Sequence, residues 1–98
     1  MKLIRDKLAL TPSPDNRTVI LVEPSVRRNL LFDKLLEEAH EIQKAKDSSV
    51  ELVGELADLS EVVQAIMTEE KITHEMLETA RTAKANSHGT FTGRYALL

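Results

Sequence analysis

Leu30-Leu31-Phe32-Asp33-Lys34-Leu35-Leu36-Glu37-Glu38-Ala39-His40-Glu41-Ile42 and, beyond Asp47-Ser48-Ser49, Leu52-Val53-Gly54-Glu55-Leu56-Ala57-Asp58-Leu59 decide the fold. At 100° per residue, Leu31, Leu35, Ala39 and Ile42 share one side of a helix. Leu52, Leu56, Leu59, Val62, Val63 and Ile66 occupy one arc of a second. The break between them is so short that the two helices must double back as an antiparallel hairpin. Setting Glu55 at zero on the wheel, Val62 and Ile66 fall about 20° to either side, so this carboxylate points with the core residues. Asp58 lies at the edge of the same arc. On the first helix Glu38 borders the apolar arc and Glu41 follows three residues later, so each helix offers a carboxylate pair at ridge spacing.

Outward from this hairpin the elements are less regular. The first long helix is predicted to start between Ser25 and Asn29, with one of these as its cap, and to run to about Lys46. Ser48 with Glu51 three residues on reads as a capping box that opens the second helix, which runs to roughly Glu69. Glu70-Lys71-Ile72 reads as a turn, and Thr73 caps a third helix that carries Met76, Leu77 and Ala80 toward Ala85 and stops before Gly89. Residues 8–17, with Pro12 and Pro14 among turn formers, read as a loop. Thr18-Val19-Ile20-Leu21-Val22-Glu23 reads as a short strand closed by Pro24, and Arg94-Tyr95-Ala96-Leu97-Leu98 as its partner in a small two-stranded ribbon. The expected fold is all-α: a hairpin, a third helix and a β ribbon, with a four-helix bundle completed by a second copy. No internal repeat is visible.

Bulk composition bounds the rest. Ninety-eight residues make a single domain, and a chain of that size buries only about two-thirds of its unfolded surface, which favours a homo-oligomer, dimer or tetramer. A net charge of −3 and three aromatic residues, Phe32, Phe91 and Tyr95, argue against duplex binding and against a base-stacking platform. The absence of cysteine removes disulfides and thiolate zinc sites. Charges at Lys2, Arg5, Asp6 and Lys7 interrupt the opening too early for a signal peptide, and no stretch approaches the roughly 20 apolar residues of a membrane span, so a cytoplasmic protein with no membrane contact is expected.

Carboxylates brought together at a hairpin seam repel unless a cation holds them. Oxygen-only ligation selects Mg²⁺, with Mn²⁺ as a substitute, over zinc or copper. A Glu-Glu-x-x-Glu string alone is common on solvated helix faces; the second cluster, with Glu55 on the apolar arc, is what points to a metal. Mg²⁺ held this way keeps positions for phosphate oxygens and water. Arg5, Lys7, Arg81, Lys84 and Arg94 are the candidate cations for the phosphate chain. His40, His74 and His88 lack metal-ligand spacing and read as surface residues.

Glu37-Glu38-Ala39-His40-Glu41, an interval of thirteen residues, then Glu55-Leu56-Ala57-Asp58 resembles the E-E-x-x-E … E-x-x-D signature of the all-α nucleoside triphosphate pyrophosphohydrolases, the MazG-like superfamily. Lys2-Leu3-Ile4-Arg5-Asp6-Lys7 is similar to the K-L-V-R-D-K opening of its small phosphoribosyl-ATP pyrophosphohydrolase-like members. The segment from Gly89 through Leu98 resembles their G-G-F-x-x-R-I-V-L ending. The resemblance implies Mg²⁺-dependent hydrolysis between the α and β phosphates of a nucleotide, giving the monophosphate and pyrophosphate, as in house-cleaning enzymes. It makes Glu38, Glu41, Glu55 and Asp58 the metal ligands and Glu37 and Glu38 the catalytic pair, with Glu37 supporting a ligand, binding a second metal or orienting water. The chain departs from the pattern at Leu8-Ala9-Leu10, where relatives have Ile-Pro-Glu, and at Ser87-His88-Gly89-Thr90, where a second glycine is usual. These departures fall in substrate-facing loops and motivate a rival expectation, a nucleotide-binding or helical regulatory module without turnover.

Overall fold

Pro24, rather than Ser25 or Asn29, begins the first long helix. Its ring fixes φ near the helical value and its missing N–H is one that no helical first turn would use, so the helix opens with Glu23 as an extended N-cap that makes no side-chain capping bond. The computed structural model describes residues 1–12 and 17–98. Among them the helices are α1 (Asp6–Ala9), α2 (Pro24–Lys44), α3 (Ser49–Glu69) and α4 (His74–His88). The turn α1 falls where a loop was expected, over Leu8 and Ala9; the turn formers Ser13 to Asn16 lie outside the described residues.

The α2–α3 connection is short because both ends are tied. Ala45 N–H donates to the Glu41 and Ile42 carbonyls, Ser48 N–H donates to the Ala45 carbonyl at 3.0 Å, and the Ser48 hydroxyl accepts from Glu51 N–H at 3.4 Å. Only half of the expected capping box forms, since the Ser48 N–H that Glu51 would have received is already engaged with Ala45. At the far end of the hairpin Arg27 binds Glu69, and Arg28 Nε donates to Glu70 Oε1 at 2.7 Å while its guanidinium sits 5.0 Å from the Phe32 ring centroid. Each of these charges is placed unfavourably with respect to its own helix dipole, cations near an N-terminus and anions near a C-terminus, and each pair offsets that cost. The start of α2 against the end of α3 fixes the antiparallel register.

Between the helices Leu31, Ala45, Val62 and Met67 are buried, and Leu35, Ile42, Leu52, Leu59, Val63 and Ile66 are partly covered, much as the two arcs require. Leu56, although on the arc, is exposed. α3 ends in a Schellman motif: Ile72 N–H reaches the Met67 carbonyl at 2.8 Å and Lys71 N–H the Thr68 carbonyl at 3.3 Å, with Lys71 at φ 57°. Thr73 then caps α4 by accepting from Met76 N–H at 3.1 Å, and α4 runs past Ala85 to His88, where Gly89 at φ 85° ends it.

α4 packs against no other helix, and among the described residues no strand forms. Residues 18–23 and 94–98 have no regular structure, are exposed except for the half-covered Val22, and share no backbone hydrogen bond. The expected ribbon is therefore absent: β-branched composition favours a strand only when a neighbouring edge is present to receive its backbone groups. The consequence is an open molecule. Its radius of gyration is 16.9 Å, against about 13 Å for a compact chain of this length, and its accessible surface is 8810 Å², against about 5,600 Å² for a compact monomer of this mass. No helix among the described residues is long and apolar enough to cross a membrane.

Candidate metal centre

Where the middles of α2 and α3 face each other, Glu38, Glu55 and Asp58 converge, with one carboxylate oxygen from each lying within 4.8 Å of the others. Glu38 is brought in by its seven-residue spacing from the buried Leu31, Glu55 by the same spacing from the buried Val62, and Asp58 by the ridge that runs three residues on from Glu55. Glu38 is 7 % exposed, the only buried charged residue among those described. Among the described residues its carboxylate accepts no hydrogen bond and pairs with Lys34 Nζ at 3.8 Å, its oxygens keeping a narrow contact with solvent. Burial pushes its pKa up, Lys34 opposes that, and the negative charges of Asp58, Glu37 and Glu55 add to it. A buried carboxylate in such company carries a standing energetic cost that a cation would offset.

Three of the four expected ligands thus meet. Glu41, about 60° around the wheel from Glu38, does not join them and lies instead 3.5 Å from Lys44 Nζ. Glu37 faces a different pair of cations, Lys2 Nζ at 3.0 Å and Lys34 Nζ at 3.1 Å. The Lys2 hydrogen bond, with Lys34 assisting and burial opposing, holds its carboxyl below the ordinary value.

Of the candidate cations, Arg5 is at the site: its Nη2 donates to Asp58 Oδ1 at 2.7 Å. Lys7 lines the same groove, a space of about 840 Å³ bordered also by Lys2, Arg5, Lys34, Glu38 and Asp58. Arg81 is tied to Glu78 on its own helix, Lys84 is exposed on α4, and Arg94 lies in the C-terminal tail beside Gly93 and Tyr95. Since α4 packs on neither hairpin helix, these three stand apart from the carboxylates within one chain. His40, His74 and His88 are exposed. Lys34 and Lys2 are the site residues that sequence reasoning passed over. Lys34 had a signal, its spacing of three and four residues from Glu37 and Glu38; Lys2 had only its place at the head of the K-L-V-R-D-K-like opening.

The donor set suits a hard divalent cation. Drawn closer together around an ion, three anionic oxygens would leave half of an octahedron for other ligands. No protein-family model matches the chain, and no curated protein or solved structure matches it.

Proposed function

We propose that the chain is a Mg²⁺-dependent nucleotide pyrophosphohydrolase of the MazG-like type, hydrolysing a nucleoside triphosphate or related nucleotide between its α and β phosphates. The observation that carries this reading is the meeting of Glu38, Glu55 and Asp58, the residues that the E-E-x-x-E … E-x-x-D resemblance makes metal ligands, at one place on the hairpin. Glu38, Glu55 and Asp58 would hold the ion. Bound there, Mg²⁺ (or Mn²⁺) neutralises phosphate charge and polarises a phosphoryl oxygen. Arg5, Lys7 and Lys34 border the groove beside these carboxylates, where they would meet a phosphate chain. Attack by water breaks one phosphoanhydride P–O bond and releases pyrophosphate, and the proton lost by the water passes to a carboxylate. Glu37, one residue from Glu38 and tied to Lys2 and Lys34, is the group that supports a ligand or orients the water, its lysine pairs making it a weak proton acceptor.

A second copy belongs in the same proposal. Leu36 and Val53 are each 67 % exposed and Val50 is 85 % exposed, apolar residues on the hairpin that a second hairpin would cover to complete a four-helix bundle. Assembly would also give α4, with Arg81 and Lys84, a surface to pack on.

Purified protein incubated with Mg²⁺ and a panel of nucleoside triphosphates should release pyrophosphate, and Glu55→Gln should lower the rate by about a hundredfold or more. Nucleotide binding by calorimetry with no product from any triphosphate would leave the non-catalytic module in its place.

A further inference from the structure

Asp58 is paired with a cation that comes from 53 residues away. The N-terminal segment lays two positive charges along the acidic ridge: Arg5 on Asp58 at 2.7 Å and Lys2 on Glu37 at 3.0 Å. A guanidinium satisfies this arrangement poorly. Arg5 reaches one carboxylate of the three; Glu38 has only Lys34 at 3.8 Å, and Glu55 has neither a hydrogen bond nor an ion pair among the described residues. A divalent ion at the centre of the three oxygens compensates all of them at once, which a planar fork of N–H donors does not. The Arg5–Asp58 pair is half exposed, side chains 55 % and 43 %, so giving it up costs little. Once released, Arg5 borders the same groove as Lys7 and Lys34, where a fork of donors matches phosphate oxygens.

Resting on the metal site proposed above, we propose that Arg5 is an internal counter-cation that surrenders Asp58 to the incoming metal and then turns to the phosphate chain of the nucleotide. Metal entry and phosphate capture are thereby coupled: the metal frees the arginine that the phosphate needs, and by reciprocity phosphate binding makes the metal harder to lose.

Mn²⁺ titration of the full chain, followed by electron paramagnetic resonance, tests this on wild type, Arg5→Gln and Lys2→Gln, with circular dichroism checking that helix content is retained. Arg5→Gln should bind Mn²⁺ about threefold to fivefold more tightly than wild type, the range that loss of a half-exposed competing pair allows. Lys2→Gln removes the same charge from the same segment without touching Asp58 and should change affinity by less. Inorganic pyrophosphate added to the Mg²⁺-loaded proteins should bind Arg5→Gln about tenfold more weakly than wild type. Equal Mn²⁺ affinity in wild type and Arg5→Gln, or equal tightening by both variants, would overturn the displacement while leaving the metal site standing. Unchanged pyrophosphate affinity would overturn the second role of Arg5. No Mn²⁺ bound by any of the three proteins at millimolar concentration would overturn the metal site itself and the displacement with it.

Discussion

Glu38 shows what the site demands of a single residue. It is largely buried among like charges, with the Lys34 ammonium at 3.8 Å and no hydrogen bond among the described residues, and its pKa is raised by burial against the pull of Lys34. The linkage has a definite sign: because the folded protein holds the proton more tightly than the unfolded chain, the contribution of Glu38 to stability is greatest below the ordinary value of 4.5 and falls as pH rises through the raised folded value. Glu37 acts in the opposite direction, its depressed pKa contributing stability above 4.5 that is lost as pH falls through the folded value. In chelator-treated protein at neutral pH, Glu38→Gln should therefore raise the melting temperature by a few degrees and abolish Mn²⁺ binding; thermal melts across pH 4 to 8 check the first, metal titration the second. A melting temperature lowered at neutral pH would show that the carboxylate is satisfied by its surroundings. The meeting of Glu55 and Asp58 was legible because Glu55 lies on the arc of leucines and valines and Asp58, still 43 % exposed, at its edge three residues on. The pairing of Arg5 with Asp58 was not, since no periodicity relates residues so far apart and the loop between them is not set by hydrophobic pattern.

The elements were legible wherever local chemistry alone sets them. Ser48 and Thr73 cap where their spacing says they should, and Gly89 stops α4. Pro24 displaced two better side-chain caps because its fixed φ acts one residue earlier. The strands were misread for a different reason: propensity describes one chain segment, while a ladder needs a second that only tertiary structure supplies. Two substitutions test the element-scale account. Lys71 occupies a left-handed position at the end of α3 that favours glycine, so Lys71→Gly should stabilise by about 0.5–1 kcal/mol. Gly54 lies inside α3 with open space where a Cβ would stand, and Gly54→Ala should likewise stabilise by about 0.5–1 kcal/mol. Urea denaturation measures both. Loss of stability in Gly54→Ala would show that a neighbouring chain approaches this glycine closely.

For the whole molecule, four buried apolar side chains among the described residues, one of them only an alanine, are a thin core, and the proposed second copy would cover part of the accessible surface that exceeds that of a compact monomer. Light scattering should give a multiple of the 11.0 kDa chain mass, and Leu36→Glu with Val53→Glu should shift the protein toward monomer and lower its melting temperature. A wild-type monomer at micromolar concentration would contradict the bundle. Composition pointed toward assembly, but which surfaces meet depends on the geometry of α4 and the tail, which the pattern of apolar residues does not encode.

The proposed function depends on the hairpin holding a divalent cation at its middle. Substoichiometric Mn²⁺ added to isotopically labelled protein will broaden the amide signals nearest to the bound ion. The account predicts that those of Glu38, Glu55 and Asp58 vanish first, ahead of the exposed acidic positions Glu75 and Glu78. Broadening that begins at Glu75 and Glu78, or that spreads evenly over the surface carboxylates, would contradict it.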